Sequence, residues 1–543
     1  MLGNLGRRSF LVGAGAAALA ARSFSVARAA DLKNGGTLTV TYMNEMASLD
    51  PAIGYEPASW NLIRALFDGL MGFETGTTKV VPFLAESFAV SPDGLTYTFT
   101  LRADAKFHNG RAIKADDVVY SLDRVVDPAT KSPGQQFFAS ILGFKDRAGG
   151  TSKQLDGVRA TGERTIEIKL SHPDASFLEI MAINFSYPVP RENVEKGNFG
   201  KNPVGSGAFK LQEWVPGQQV TLVRNPDYYQ KGLPHLDKLV VRVGIDPVTA
   251  LLQFQHGDVD LLGNGVPASM FNQVVNDPKY KDDILQAERL ITRYITMKTT
   301  IKPFDDKRVR QAVNHAINKQ RLVQLTNNRA HVTNQVLPPG MGGYDKDYKG
   351  YDFNPGTAKA MLAAAGLANG FSTQLYATNI DPDPRIAQSI QQDLANVGIT
   401  ADLRVLAEAQ VIDAGGDPNE APMVWSGATG WGADYPDPSD FWFPLLASDA
   451  ATKGGWNWCY YRRPDLDEKA KQANSIADPA KDAERFAQWA ALYREVMDDA
   501  PWVPVYNDVR FMLKQPRIMA SPEVLSAPTF PLMDFVRVYA TNA

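Results

Sequence analysis

The chain has 543 residues, of which 44% are hydrophobic and 21% charged, and its net charge is −4. That length exceeds what one core organises and predicts about three domains; the composition excludes a disordered or membrane-embedded protein. No basic block is present to neutralise phosphates, which argues against nucleic acid as a partner.

At the N-terminus, Arg7 and Arg8 precede an apolar run from Phe10 to Ala21, followed by Ala27-Arg28-Ala29. Residues 1–29 are therefore expected to be an export signal. The run is shorter than the roughly 20 apolar residues of a membrane span. RRSFL resembles the twin-arginine export pattern, although paired arginines also occur in Sec signals. Loss of residues 1–29 removes four arginines and no acid, leaving 52 basic against 60 acidic residues, or −8. No cysteine stands near the expected cleavage site, so the product is expected free in a periplasm, without a lipid anchor. Cys459, the one cysteine, allows no internal disulfide and reads as a small buried hydrophobe.

GGTLTVTYMN opens with a strand alternating Leu38, Val40 and Tyr42. Pro51 and Pro57 then enforce a loop before an apolar helix carrying Leu62, Leu66 and Leu70. ESFAVSPDGLTYTFTLR reads as two strands about a Pro-Asp-Gly turn, with Tyr97, Phe99 and Leu101 on one face. A helix is expected from about Lys114 to Val126, and a strand pair about the Pro-Gly turn of residues 202–229. KLVVRVGIDPVTALLQFQHGDVDLL runs strand, helix, strand, the unit of an α/β layer. Asp305 or Asp306 can cap a helix presenting Val309, Ala312, Val313, Ala316 and Ile317. A further helix carries Ile386, Ile390, Leu394 and Val397, stops at Gly398, and gives way to a strand with Ile399, Ala401, Leu403 and Val405. WVPVYNDVRFMLK is expected to be a strand.

Motifs for chemistry are missing. No G-x-S-x-G stands in the mature chain, the six histidines are scattered singly, and no P-loop, dinucleotide fingerprint or calcium loop occurs. No catalytic residue, metal or cofactor is expected. An exported hydrolase with paired carboxylates stays open, because such pairs leave no local signature.

TGWGADYPDPSDFWF, residues 429–443, sets Asp434, Asp437 and Asp440 among aromatics, and Pro436 and Pro438 prevent one helix from aligning them. On residue types alone Asp434 reads either as a turn cap or as an acid for a ligand. Asp437 and Asp440 read as turn and helix-start residues. Between 431 and 461 nine of thirty-one residues are aromatic, which suits either core packing or a pocket wall lined by Asn457 and Trp458.

AESFAVSPDGLTYTFTLRADAKFHNGRAIKADDVVYSLDR, residues 85–124, resembles the dipeptide/oligopeptide/nickel class of extracellular solute-binding proteins that serve ABC importers. NPVGSGAFKLQEWVPGQQVTLVRNPDYY, FQHGDVDLL, KPFDDKRVRQAVNHAI and WGADYPDP follow in the family's order. The resemblance implies an α/β, periplasmic-binding-protein-like fold of two lobes that close on a ligand. The first lobe would comprise 30–288 plus 506–543, with an additional domain at about 59–185, and the second 289–505. Linkers would lie near Leu290 and Pro504. The implied partners are a small peptide or peptide-like solute and permease subunits at the inner membrane, with the receptor acting as a monomer.

The resemblance also implies site residues. Asp434, three residues after Trp431, matches the acid that pairs with a ligand's ammonium, and Trp431 and Tyr435 would add cation-π attraction. Gly54, Tyr55 and Glu56 match a loop that exchanges main-chain hydrogen bonds with an extended peptide. Asn379 follows Thr378 where dipeptide binders carry a carboxylate-pairing arginine, and Ala428 replaces an arginine of oligopeptide binders. Ser448 stands in the neighbourhood of a second cysteine, so that disulfide is missing. The implied ligand bears an amine; an oligosaccharide, opine or metal chelate is the alternative.

Overall fold

The computed structural model describes residues 34–529 and 531–541. The expected export signal lies outside these residues.

Leu38 and Val40 point inward from strand Thr37–Thr41, in which Thr37 and Thr39 are half-buried. This strand lies inside a five-stranded sheet, between Leu261–Leu262 and Lys238–Arg242, both parallel to it. Gln219–Arg224 and Phe209–Val215 continue the sheet antiparallel. Helix Pro247–His256 makes the parallel crossover. Asp246 caps it by accepting from the amides of Val248 and Thr249, and Gly257 ends it at φ 88°, a conformation that favours glycine.

A four-stranded antiparallel sheet, ordered Ala85–Val90, Thr96–Leu101, Thr165–Lys169 and Val158–Gly162, packs beside helix Ala115–Val126. Tyr97, Phe99 and Leu101 are buried on one face, as period 2 requires. Helix Pro57–Leu66 stops short of Leu70, because Phe67 turns extended.

The second lobe is built on a mixed sheet. Its order is Ala330–Val332, Trp502–Leu513, Ile284–Met297, Met423–Trp425, Phe371–Thr378 and Ile399–Leu406, with Trp431–Gly432 added against Ile291 and Thr292. Asp306 caps Lys307–Ala316 through the Arg308 amide, and Val309, Ala312, Val313 and Ala316 are buried. Helix Asp383–Asn396 buries Ile386, Ile390 and Leu394. Ile399 and Ala401 are buried, but Val405 is 38% exposed: the alternation fades because Ile399–Leu406 is the sheet's edge.

Ile284–Met297 and Trp502–Leu513 join the lobes. Leu285 and Met512 pack in the first lobe's core, whereas Ile295, Met297, Val503 and Val505 pack in the second. The ladder breaks between them: Glu288 pairs with Val509 and Thr292 with Asn507, so Asp508 faces Arg289, Leu290 and Ile291 together. Among the described residues, no helix is long and apolar enough to cross a membrane.

Candidate solute-binding cleft

A cavity of about 470 Å³ lies over this break, within the size range of small-ligand sites. Arg289, Arg293, Tyr506, Asp508 and Arg510 form its floor. Tyr42, Asn44, Glu56, Asn61 and Asn264 face it from the first lobe, and Arg329, Ile380, Asp381, Asp383 and Ala428 from the second.

The loop of residues 429–443 follows the cavity residues Gly427 and Ala428 in sequence, its Trp431, Asp434 and Tyr435 are not among the residues lining the cavity, and it is shaped by its acids. Asp440, fully buried, accepts from the Asp434 amide at 3.0 Å and the Trp431 indole N–H at 3.0 Å. Asp437 accepts from the Ser439 amide and pairs with the buried Arg485 guanidinium on helix Asp482–Asp499. Both acids thus hold the loop in place. Asp434 differs. Its carboxylate, 4% exposed, accepts the Tyr55 hydroxyl from the first lobe at 2.7 Å, and among the described residues no cation pairs with it. Burial pushes its pKa up to about 7, against the smaller opposing effect of the Tyr55 hydrogen bond. Burial and then the Asp434 charge push Asp440 well above the carboxylate range.

Trp431 stands half-buried with its ring 5.7 Å from Trp456. Tyr435 is buried and reaches into the first lobe's core, its ring edge-on to Phe137 at 6.1 Å. Tyr55 lies in the same aromatic group, against Trp60, Phe137 and Phe185.

The first-lobe loop is tied down by its own hydrogen bonds. The Gly54 amide donates to Asp50 O, and its carbonyl accepts from both Trp60 Nε1 and Asn184 Nδ2. Tyr55 N donates to Glu56 Oε2, and Glu56 Oε1 accepts from Ala47 N. These groups are engaged within and around the loop, from which the Tyr55 side chain reaches Asp434 and Glu56 lines the cavity.

Asn457 is likewise engaged. Its amide donates to Ala447 O and Tyr461 O and its oxygen accepts from Tyr461 N and Cys459 Sγ, which fixes the surrounding turn and leaves nothing for a ligand. Trp458 is also core, packed with Val411, Ala414 and Val424. Neither lines the cavity. Cys459 is buried, and burial pushes its thiol up to about 11. Asn379 is exposed and immediately precedes the cavity residues Ile380 and Asp381, while Arg385 is held by Asp381 at 3.0 Å.

A second contact between lobes lies away from the cavity. Asn474 Nδ2 donates to Asp174 Oδ1 at 3.0 Å and Ala175 N to Asn474 O at 2.8 Å. Close by, burial and then the Asp437 charge raise Glu179 well above the usual carboxylate range.

Sequence reasoning missed the floor arginines, because ERLITRYITM and VYNDVRFML read simply as strands. The available signal was charge inside strands otherwise apolar enough to be buried.

A two-lobed molecule with a polar cavity over paired crossing strands matches proteins already known. The profile of "Bacterial extracellular solute-binding proteins, family 5 Middle" matches residues 79–453. The chain belongs to this family. Its members are the solute-capturing components of ABC importers, and the lobed architecture is theirs. Heme-binding protein A of Haemophilus influenzae is 29% identical over 526 residues, covering 90% of both chains. Glutathione-binding protein GsiB of Escherichia coli K12 is 29% identical over 475 residues, covering 86% of this chain and 88% of its own. The periplasmic binding protein DppA of Helicobacter pylori, solved with the peptide STSA, superposes with a TM-score of 0.78 at 27% identity, covering 94% of this chain and 99% of its own.

Proposed function

We propose that the protein captures a peptide or peptide-like solute with a free amine and delivers it from the periplasm, as a soluble monomer without a lipid anchor, to the permease subunits of an ABC importer. The lobes divide in this reading near 30–288 plus 506–543 and 289–505, with the additional domain at about 59–185. Asp434 carries the argument. A buried carboxylate with only a hydroxyl from the opposite lobe is poorly compensated, and a ligand ammonium offers it a charge-assisted partner. The ammonium competes with the Tyr55 hydroxyl for that acid, and Trp431 and Tyr435 border the position. Relatives named for glutathione and for a bound peptide support the solute class.

Native mass spectrometry of protein purified without added ligand identifies the cargo, and calorimetry with that cargo tests the anchor. Truncating one member of a buried charge pair costs about 2 to 5 kcal/mol, or roughly 30-fold to several thousand-fold in Kd. Asp434→Asn is expected to weaken binding by that factor. Unchanged affinity in the variant refutes the assignment.

A further inference from the structure

Four arginines line one cavity, and of the acids around them Asp508 pairs with one of the four, Arg293. Arg293 holds Asp508 through two nitrogens at 3.0 and 2.7 Å and also donates to the Gly427 carbonyl. Asp381 is held by Arg385. Glu56 is spent on backbone amides, Asp383 on Thr378, Trp425 and the Ala428 amide, and Glu45 on the Trp214 indole and the Gly217 amide. Bonds to neutral donors leave Glu45, Glu56 and Asp383 charged, but among the described residues no carboxylate forms an ion pair with Arg510.

Arg510 is the centre of the positive floor. Its Nη2 donates to the Gly263 carbonyl at 2.8 Å, while Nη1 is buried with no hydrogen-bond partner among the described residues. It pairs across the ladder with Ala287, and Arg289 lies two residues further along that strand, on the same face at the start of the break. Arg329 reaches the cavity from the second lobe, its guanidinium over the Phe271 ring and its Nε donating to Thr326 O. Burial, and then the charge of Arg510, push Arg289 down to about 9 against the smaller opposing effect of Asp508; burial pushes Arg510 down to about 10. Like charges gathered in a low-dielectric cleft repel, and an anion between them relieves that cost while supplying an acceptor for the buried Arg510 Nη1.

We propose that Arg510 and Arg289, with Arg329 opposite, form an oxyanion subsite on the cleft floor that takes a carboxylate of the solute. This rests on the reading of a peptide-like cargo and extends it. The solute is then bipolar, its amine toward Asp434 and its acid toward the strands that join the lobes. The planar fork of arginine suits carboxylate and phosphate alike, so the test separates them.

The test follows thermal unfolding of the purified protein at constant ionic strength with succinate or inorganic phosphate, and calorimetry with the native cargo and its carboxyl-amidated form. Wild type is expected to show a saturable rise in melting temperature with succinate. Arg510→Gln and Arg289→Gln are each expected to weaken the apparent succinate Kd at least about tenfold, and Arg510→Lys to recover part of it. N-acetylation of the cargo removes its amine without altering the protein, so failure of the amine anchor reads out there and failure of this subsite reads out in the succinate response. Amidation of the cargo is expected to weaken binding to wild type but to change little in Arg510→Gln. The proposal is overturned if succinate gives no shift, if phosphate alone does, or if both glutamine variants respond like wild type.

Discussion

Acidifying the ligand-free protein should close it. In the structure Asp434 is buried between the lobes, faced by Tyr55, Tyr435 and Asp440, and burial pushes its pKa up to about 7. Opening the lobes exposes this carboxyl, and its pKa returns toward the ordinary value near 3.9. The closed form then binds a proton that the open form releases, over the window from about 4 to about 7. Each pH unit below about 7 favours closure by about 1.4 kcal/mol, so pH 5 shifts the closed-to-open ratio by about 100-fold relative to pH above 7. Fluorescence energy transfer between dyes on the two lobes measures that ratio from pH 8 to 5. Glu179, raised in the same direction, adds its own rise in any variant that retains it. Comparison with Asp434→Asn therefore isolates the Asp434 contribution. The reasoning is refuted if the closed population stays flat or falls on acidification, or if Asp434→Asn responds as steeply as wild type.

Asn474→Ala removes the side-chain bond to Asp174 and leaves the backbone bond of the same contact; loss of about 1 kcal/mol from the closed state should weaken cargo binding about fivefold, read by calorimetry. Gly427 sits at φ +40°, and a Cβ there would stand 2.1 Å from the Asp383 carboxylate, so Gly427→Ala should lower unfolding stability by about 2 to 4 kcal/mol, read from urea midpoints. Lys319 is buried against Asn334 Oδ1 and Thr333 O, and burial pushes its pKa down to about 7. The unfolded chain binds that proton up to about pH 10, so stability should rise with pH between about 7 and 10, and Lys319→Met should flatten the rise in urea titrations at pH 7, 8 and 9.

The regular elements were legible because they are local. The apolar period of Ile386, Ile390 and Leu394 and the stop at Gly398 depend on residues within one turn of each other, and the structure forms that helix. The fate of Ile399–Leu406 was only half legible, since nothing local says that a strand will stand at a sheet's edge. The loop of residues 429–443 drew notice by setting acids among aromatics, and Asp437 and Asp440 do hold its turns. What composition could not distinguish is which polar group is consumed by its own loop. Asn457 and Gly54 look available in sequence, yet their hydrogen-bonding capacity is exhausted by residues up to 130 positions away. The floor arginines were hidden for the same reason: Arg289 and Arg510 are 221 positions apart and meet only through the register of two strands.

The missing rungs between Glu288 and Thr292 bear on transport as well as on shape. A ladder bends with least loss where its backbone bonds are already absent, so rotation about that line is the motion expected of the halves. Because Arg289 stands on the same line, the anion subsite proposed above would occupy the pivot itself. Small displacements there become large ones at the rims, which is where a membrane transporter would meet the receptor.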